Sequence, residues 1–90
     1  MAHVTAQTMS LSELGLTPSR GSDVRVSGLS VDSRKVKKDH LFVALPGTVQ
    51  HGAEFIPFAL RMGAAAILTD QAGAELAAAS LADAPVSLVV

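Results

Sequence analysis

The densest run of apolar positions is His40–Leu45 (HLFVAL), closed by Pro46-Gly47. A nearly continuous apolar stretch of this length predicts a strand covered on both faces, since a half-exposed strand would alternate. Upstream, Val24, Val26, Leu29 and Val31 alternate with polar residues around Gly28, which predicts two short strands or one bent one. Downstream, Phe55, Ile56, Ala59, Leu60 and Gly63 fall on one face of a helix over Ala53–Met62. Pro57 is tolerated only in a first turn, so this helix must begin close to Ala53 or Glu54, and Gly63 caps its end. Ala64–Thr69 reads as a buried strand, Ala72–Leu81 as an Ala-rich helix and Pro85–Val90 as a final strand. Near the start, Ser10 and Glu13 have capping-box spacing in a short predicted helix, Ser10–Leu16, stopped by Gly15. Met1–Met9 reads as a loose start and Pro18–Asp23 as a turn-rich linker.

Strand, helix, strand, helix, strand in the second half predicts an α/β fold, a small mixed, partly parallel sheet flanked by helices. Ninety residues make one domain, 1–90, with one thin core. The apolar share of 49% and charged share of 17% are those of a globular chain. Much of the apolar share is Ala, so the elements should pack closely through small side chains, with Met62 and the Ala-rich stretches in the core. A chain that ends inside an apolar strand is expected to continue past Val90.

Charge and composition remove several function classes. A net charge of −1 draws the chain neither to nucleic acid nor to an anionic membrane. The run Arg34-Lys35-Val36-Lys37-Lys38 lacks interleaved aromatics and reads as a solvated turn. There is no Cys, hence no thiolate nucleophile, disulfide or Cys-based zinc site. His3, His40 and His51 have no i, i+4 pairing and no carboxylate at ligand spacing, so no metal site is expected. No apolar stretch approaches the ~18 residues that span a bilayer, and no charged start precedes an apolar run as in a signal peptide. A cytoplasmic protein with no membrane or nucleic-acid partner is the expectation.

Two segments carry candidate chemistry. The first is Asp32-Ser33-Arg34. A nucleophilic Ser needs a His base and an orienting carboxylate, and no His stands in that context. Two readings stay open. Ser33 and Arg34 could grip an anion through a hydroxyl and a forked cation, or Asp32 could cap a turn while Ser33 bonds backbone. The second segment is the Gly-bounded loop Pro46–Gly52 between a buried strand and a helix. Such loops lie at the carboxyl ends of strands, where α/β folds bind ligands. It has no Gly-Lys-Ser/Thr and is not an ATP loop.

Taken together, Gly28, Val31–Val36, Leu41–Gly47, Gly52, Phe55-Ile56, Ala59 and Gly63–Ala66 resemble the N-terminal domain of the Mur ligases, in particular the MurE (tripeptide synthetase) type. Met9–Gly15 resembles the opening of that type. The resemblance implies three domains in the whole enzyme: a first that binds the UDP part of UDP-N-acetylmuramoyl-L-Ala-D-Glu, a central ATPase domain and a C-terminal domain for the incoming amino acid. This chain corresponds to the first, so the central domain would be its partner in cis. ATP and Mg2+ would belong to the full-length enzyme, with no cofactor and no catalysis in these residues alone. Carried over by position, the substrate-binding residues would be Val31 near the uracil, Ser33 and Arg34 on the nucleotide, and Thr48, Val49 and Gln50 along the uracil and diphosphate. The MurF type (the D-Ala-D-Ala-adding ligase) shares Asp-Ser-Arg and Leu-Phe-Val-Ala-Leu and is the nearest alternative. A free-standing α/β interaction module is the other. Asp39 stands where the family usually has Gly, which predicts a different turn there.

Overall fold

Leu41, Phe42 and Ala44 are all fully buried although neighbours along a strand point to opposite faces. Both faces of the strand are therefore covered, as its apolar run predicts. In the computed structural model, which describes residues 8–45, 52–82 and 86–90, this strand is one of the two central strands of a four-stranded sheet. The strands are β1 (Met9–Ser10), β2 (Arg25–Val26), β3 (Gly28–Ser30), β4 (His40–Ala44), β5 (Ala66–Thr69) and β6 (Ser87–Val89). The helices are α1 (Ile56–Arg61), α2 (Gln71–Leu76) and α3 (Ala78–Ala82), with 3-10 turns at Ser12–Leu14, Ser33–Lys35 and Gly52–Phe55.

The order β3-β4-β5-β6 is wholly parallel, and β1 pairs with β2 in a separate antiparallel ladder. An antiparallel bridge from Arg20 to Leu88 closes the outer edge of β6. The expected α/β architecture is present, with the parallel pairing in the four-stranded sheet and the antiparallel pairing in the separate β1–β2 ladder and the Arg20–Leu88 bridge. Register puts Phe42, Ile67 and Leu88 in one row across the sheet and Leu41, Ala66 and Ser87 in the next. Phe42, Ala44 and Ile67 pack with Val36, Ile56, Ala59 and Leu81 from the crossovers. Leu41, Ala66 and Val89 pack on the other side with Leu11, Leu16, Val24 and Val26 from the N-terminal segment. Buried alanines at 44, 53, 59, 64, 66 and 77 allow this close approach, as the composition predicts.

Several elements differ from expectation. The helix expected over Ala53–Met62 is a 3-10 turn followed by α1. Pro57 has no N–H to donate back to residue 53, so the α-helical ladder cannot run through the first turn. The expected helical phase then fails at Phe55, which was assigned to the buried face and is 43% exposed; Met62 is also exposed rather than in the core. The Ala-rich helix starts at Gln71, where Asp70 accepts from the Gly73 N–H at 2.7 Å, and it is interrupted at Ala77. The helix expected over Ser10–Leu16 is only the 3-10 turn. Its capping box is present, with Ser10 N–H donating to Glu13 Oε1 at 2.9 Å and Glu13 N–H to Ser10 Oγ at 3.2 Å. Gly15 ends it in the left-handed region, φ 81°.

The turn before β4 keeps the conformation that glycine would favour. Asp39 adopts φ 67°, so the replacement of Gly by Asp leaves this turn left-handed, contrary to expectation. Its N–H donates to Gly63 O at 2.8 Å and its carbonyl accepts from Ser27 N–H at 2.9 Å. Those two bonds fix the backbone on both sides, and Asp is among the few residues that tolerate this region.

Candidate functional site

In a parallel sheet all carboxyl ends lie on one edge. Because β3 and β4 are neighbours, the residues after Ser30 and after Ala44 emerge side by side. The first group is the Val31–Lys35 turn. The second segment begins at Leu45 and resumes at Gly52, whose N–H donates to Leu45 O at 2.9 Å. That bond draws the two ends of the 46–51 segment together. Thr48, Val49 and Gln50, together with Pro46, Gly47 and His51, lie outside the described residues, as do His3 and Pro85.

Within the first turn Asp32 organises its neighbours. Its Oδ1 accepts from the Arg34 N–H at 2.9 Å and from Arg34 Nε at 3.1 Å, and its Oδ2 accepts from Arg34 Nη2 at 2.9 Å. The guanidinium fork, then the backbone N–H, hold the Asp32 carboxyl down to about 2, and the Arg34 guanidinium is raised in turn. The Arg34 side chain is 84% exposed, so the pair is a local clamp on the turn and a weak source of stability. The turn cap by Asp32 is therefore present. Ser33 is 8% exposed, and its hydroxyl has no hydrogen-bond partner among the described residues.

Val31, Asp32, Ser33, Arg34, Phe55 and Phe58 line an open cleft of about 630 Å³. Val31 is 72% exposed, an unusual position for a β-branched apolar residue, and Phe58 is 37% exposed with Arg61 stacked 5.8 Å from its ring centroid. The cleft thus has apolar walls and a short polar floor, the usual make-up of a small-molecule site. Of the residues named from the sequence, Val31, Ser33 and Arg34 come together here. Phe55 and Phe58 were missed as site residues. Their signal was there: two of only three aromatics, spaced i, i+3.

A second cleft of about 660 Å³ shares Val31, Asp32 and Arg34 with the first and is lined besides by Leu29, Ser30, Lys35, Lys37 and His40. His40 Nδ1 lies 2.9 Å from Ser30 Oγ, so this histidine is satisfied within the fold. Gly28 makes room for its ring, since a Cβ there would sit 2.7 Å from Nε2. Among the described residues no group of three or more His, Cys, Asp or Glu could hold a metal ion, and no helix is long and apolar enough to cross a membrane.

Comparison with known proteins places these features in a family. A sequence profile described as "Mur ligase family, catalytic domain" matches residues 25–88, which includes both strand ends and both clefts. A UDP-N-acetylmuramoyl-L-alanyl-D-glutamate–2,6-diaminopimelate ligase of Streptomyces coelicolor is 48% identical over 68 residues, 76% of this chain and 13% of the relative. The enzyme of the same name from Streptomyces avermitilis is 44% identical over 82 residues, 88% of this chain and 16% of the relative. A UDP-N-acetylmuramyl-tripeptide synthetase of Treponema pallidum is 40% identical over 63 residues, 70% of this chain and 12% of the relative. The chain therefore spans between about one-eighth and one-sixth of the length of these relatives.

Proposed function

Since the chain belongs to the Mur ligase family, we propose that it binds the UDP moiety of UDP-N-acetylmuramoyl-L-Ala-D-Glu as part of an ATP-dependent ligase of peptidoglycan synthesis in the cytoplasm. That ligase forms an amide bond to the third residue of the stem peptide. The names of the relatives, which act on the same dipeptide or make the tripeptide, support this type over the D-Ala-D-Ala-adding one. The observation that carries the proposal is the cleft at the ends of β3 and β4, which Ser33, 8% exposed and with no hydroxyl partner among the described residues, lines together with Val31, Phe55 and Phe58. A flat pyrimidine fits against apolar walls, and a hydroxyl on the floor can donate to or accept from its polar edge. Arg34 stands at the rim as a proposed contact to the nucleotide. Thr48, Val49 and Gln50 are proposed, from their positions in the family pattern, as further contacts along the uracil and diphosphate; the described residues on either side of them, Leu45 and Gly52, are hydrogen-bonded to each other.

The sequence has no phosphate loop of the Gly-Lys-Ser/Thr kind, so ATP and Mg2+ are proposed to be held by other parts of the full-length enzyme. The role proposed for this chain is to hold and orient the nucleotide end of the substrate, while ATP would supply the driving force for amide formation elsewhere in the full-length ligase. The central ATPase domain, in cis, is its proposed partner. Ser33→Ala tests the assignment: affinity for the UDP-sugar should fall by about 1 kcal/mol, the scale of one hydrogen bond. An unchanged dissociation constant in calorimetry would remove Ser33 from the site.

A further inference from the structure

We propose that Asp32 is a positioning residue that presents Ser33 to the ligand, through the acceptor it gives the Arg34 N–H rather than through its charge; this rests on the reading of Ser33 as a nucleotide contact. Ser33 stands between the two ends of a closed ring of interactions. Asp32 Oδ1 takes the Arg34 N–H at 2.9 Å, two residues on, and the Asp32 carbonyl takes the Lys35 N–H at 2.9 Å. The Ser33 carbonyl in turn accepts from the Val36 N–H. Val36 is buried beneath this turn at 1% exposure, so the turn is anchored from below. With its backbone held at both ends, Ser33 has little freedom, and no partner of its hydroxyl lies among the described residues.

The same geometry changes what Arg34 offers. Both its Nε and its Nη2 are engaged by Asp32. A guanidinium so forked on a carboxylate presents less net charge to an approaching phosphate than a free one. If the triplet gripped anions chiefly by charge, removing the Asp32 carboxylate would strengthen binding. If Asp32 acts by position, removing it weakens binding. The two mechanisms therefore predict opposite signs for one substitution.

The experiment titrates the 90-residue chain and three variants, Asp32→Ala, Asp32→Asn and Ser33→Ala, plus the double variant Asp32→Ala/Ser33→Ala, with UDP-N-acetylmuramoyl-L-Ala-D-Glu, following amide shifts. Asp32→Ala should weaken binding about fivefold, as Ser33→Ala does. Asp32→Asn, which keeps an oxygen acceptor for the Arg34 N–H, should recover most of that loss. The double variant should bind within about twofold of Asp32→Ala alone, because residues acting through one contact are not additive. In the free protein the Arg34 amide proton should move upfield in Asp32→Ala and stay in place in Asp32→Asn, with the buried Phe42 and Ile67 amides unmoved to show that the fold persists. Equal or tighter binding by Asp32→Ala, additive losses in the double variant, or no recovery in Asp32→Asn would overturn the positioning role. Ser33→Ala binding like wild type, or no binding by wild type at millimolar ligand, would overturn the nucleotide reading and this proposal with it. Loss in Ser33→Ala without loss in Asp32→Ala would overturn this proposal alone.

Discussion

Asp39→Gly should make the chain more stable, and Asp39→Ala less. Asp39 sits at φ 67°, where an L residue carries a steric cost of roughly 1–2 kcal/mol, toward the lower end for Asp. Glycine removes that cost but brings ~0.5–1 kcal/mol of extra freedom in the unfolded chain. The net gain for Gly is about 0.5 kcal/mol. Alanine gains no freedom of that kind and lacks the polar side chain that eases the left-handed region, so it should lose ~0.5–1 kcal/mol. The two flanking hydrogen bonds, to Gly63 O and from Ser27 N–H, keep the backbone from escaping to another region. For a domain of this size ~1 kcal/mol shifts the melting temperature by about 4–8 °C. Thermal unfolding followed by far-UV circular dichroism should therefore place the Gly variant roughly 4–12 °C above the Ala variant, with Asp between them. An Ala variant melting at or above the Gly variant would show that the turn is not held left-handed in solution.

Two further outcomes follow from the site. Gly52→Ala would put a Cβ 3.0 Å from both Leu45 N and Leu45 O, which pushes Leu45 and residue 52 apart by a few tenths of an ångström; affinity for the UDP-sugar should drop severalfold while the melting temperature falls only modestly, and wild-type affinity would remove the residues between them from the site. Asp32 is depressed to about 2 in the folded chain against about 3.9 unfolded. A lowered folded-state value means that its contribution is complete above the unfolded value and is lost as pH falls through about 2. Glu13, lowered chiefly by the Ser10 N–H, and Asp23, lowered chiefly by the Ser12 hydroxyl, act with the same sign. The Arg34 amide shift should accordingly titrate with a midpoint near 2, and a midpoint at 4 or above would mean that the Asp32 clamp is absent in solution.

The sequence makes β4, β5 and β6 plain because strands buried on both faces leave continuous apolar runs, and a parallel sheet follows from their alternation with helices. It is silent on β1, whose two residues Met9 and Ser10 are too few to carry a period and which pairs only because β2 lies opposite. At the site, Val31, Ser33 and Arg34 were legible as candidates, yet their geometry was not. An anion grip and a local clamp use the same Asp-Ser-Arg letters, and only the positions of Nε and Nη2 against the Asp32 carboxylate tell them apart. Phe55 was hidden by a wrong helical phase, and Phe58, off the expected buried face, carried no signal beyond its i, i+3 spacing from Phe55. Counting back at 3.6 residues per turn from α1 puts Phe55 inside, but the Gly52–Phe55 turn winds at three residues per turn and carries its ring to the cleft.

The central claim is that the carboxyl ends of β3 and β4 form a uridine-nucleotide site. Its most direct test is a titration of the chain with UDP itself, without sugar or peptide, read by backbone amide and aromatic side-chain NMR. Shifts that cluster on Val31–Arg34, Gly52 and the Phe55 and Phe58 rings, with Lys37 and His40 in the neighbouring cleft unmoved, are the predicted outcome. Saturating shifts confined to Lys35, Lys37 and His40 of the second cleft, or none at millimolar UDP, would contradict it.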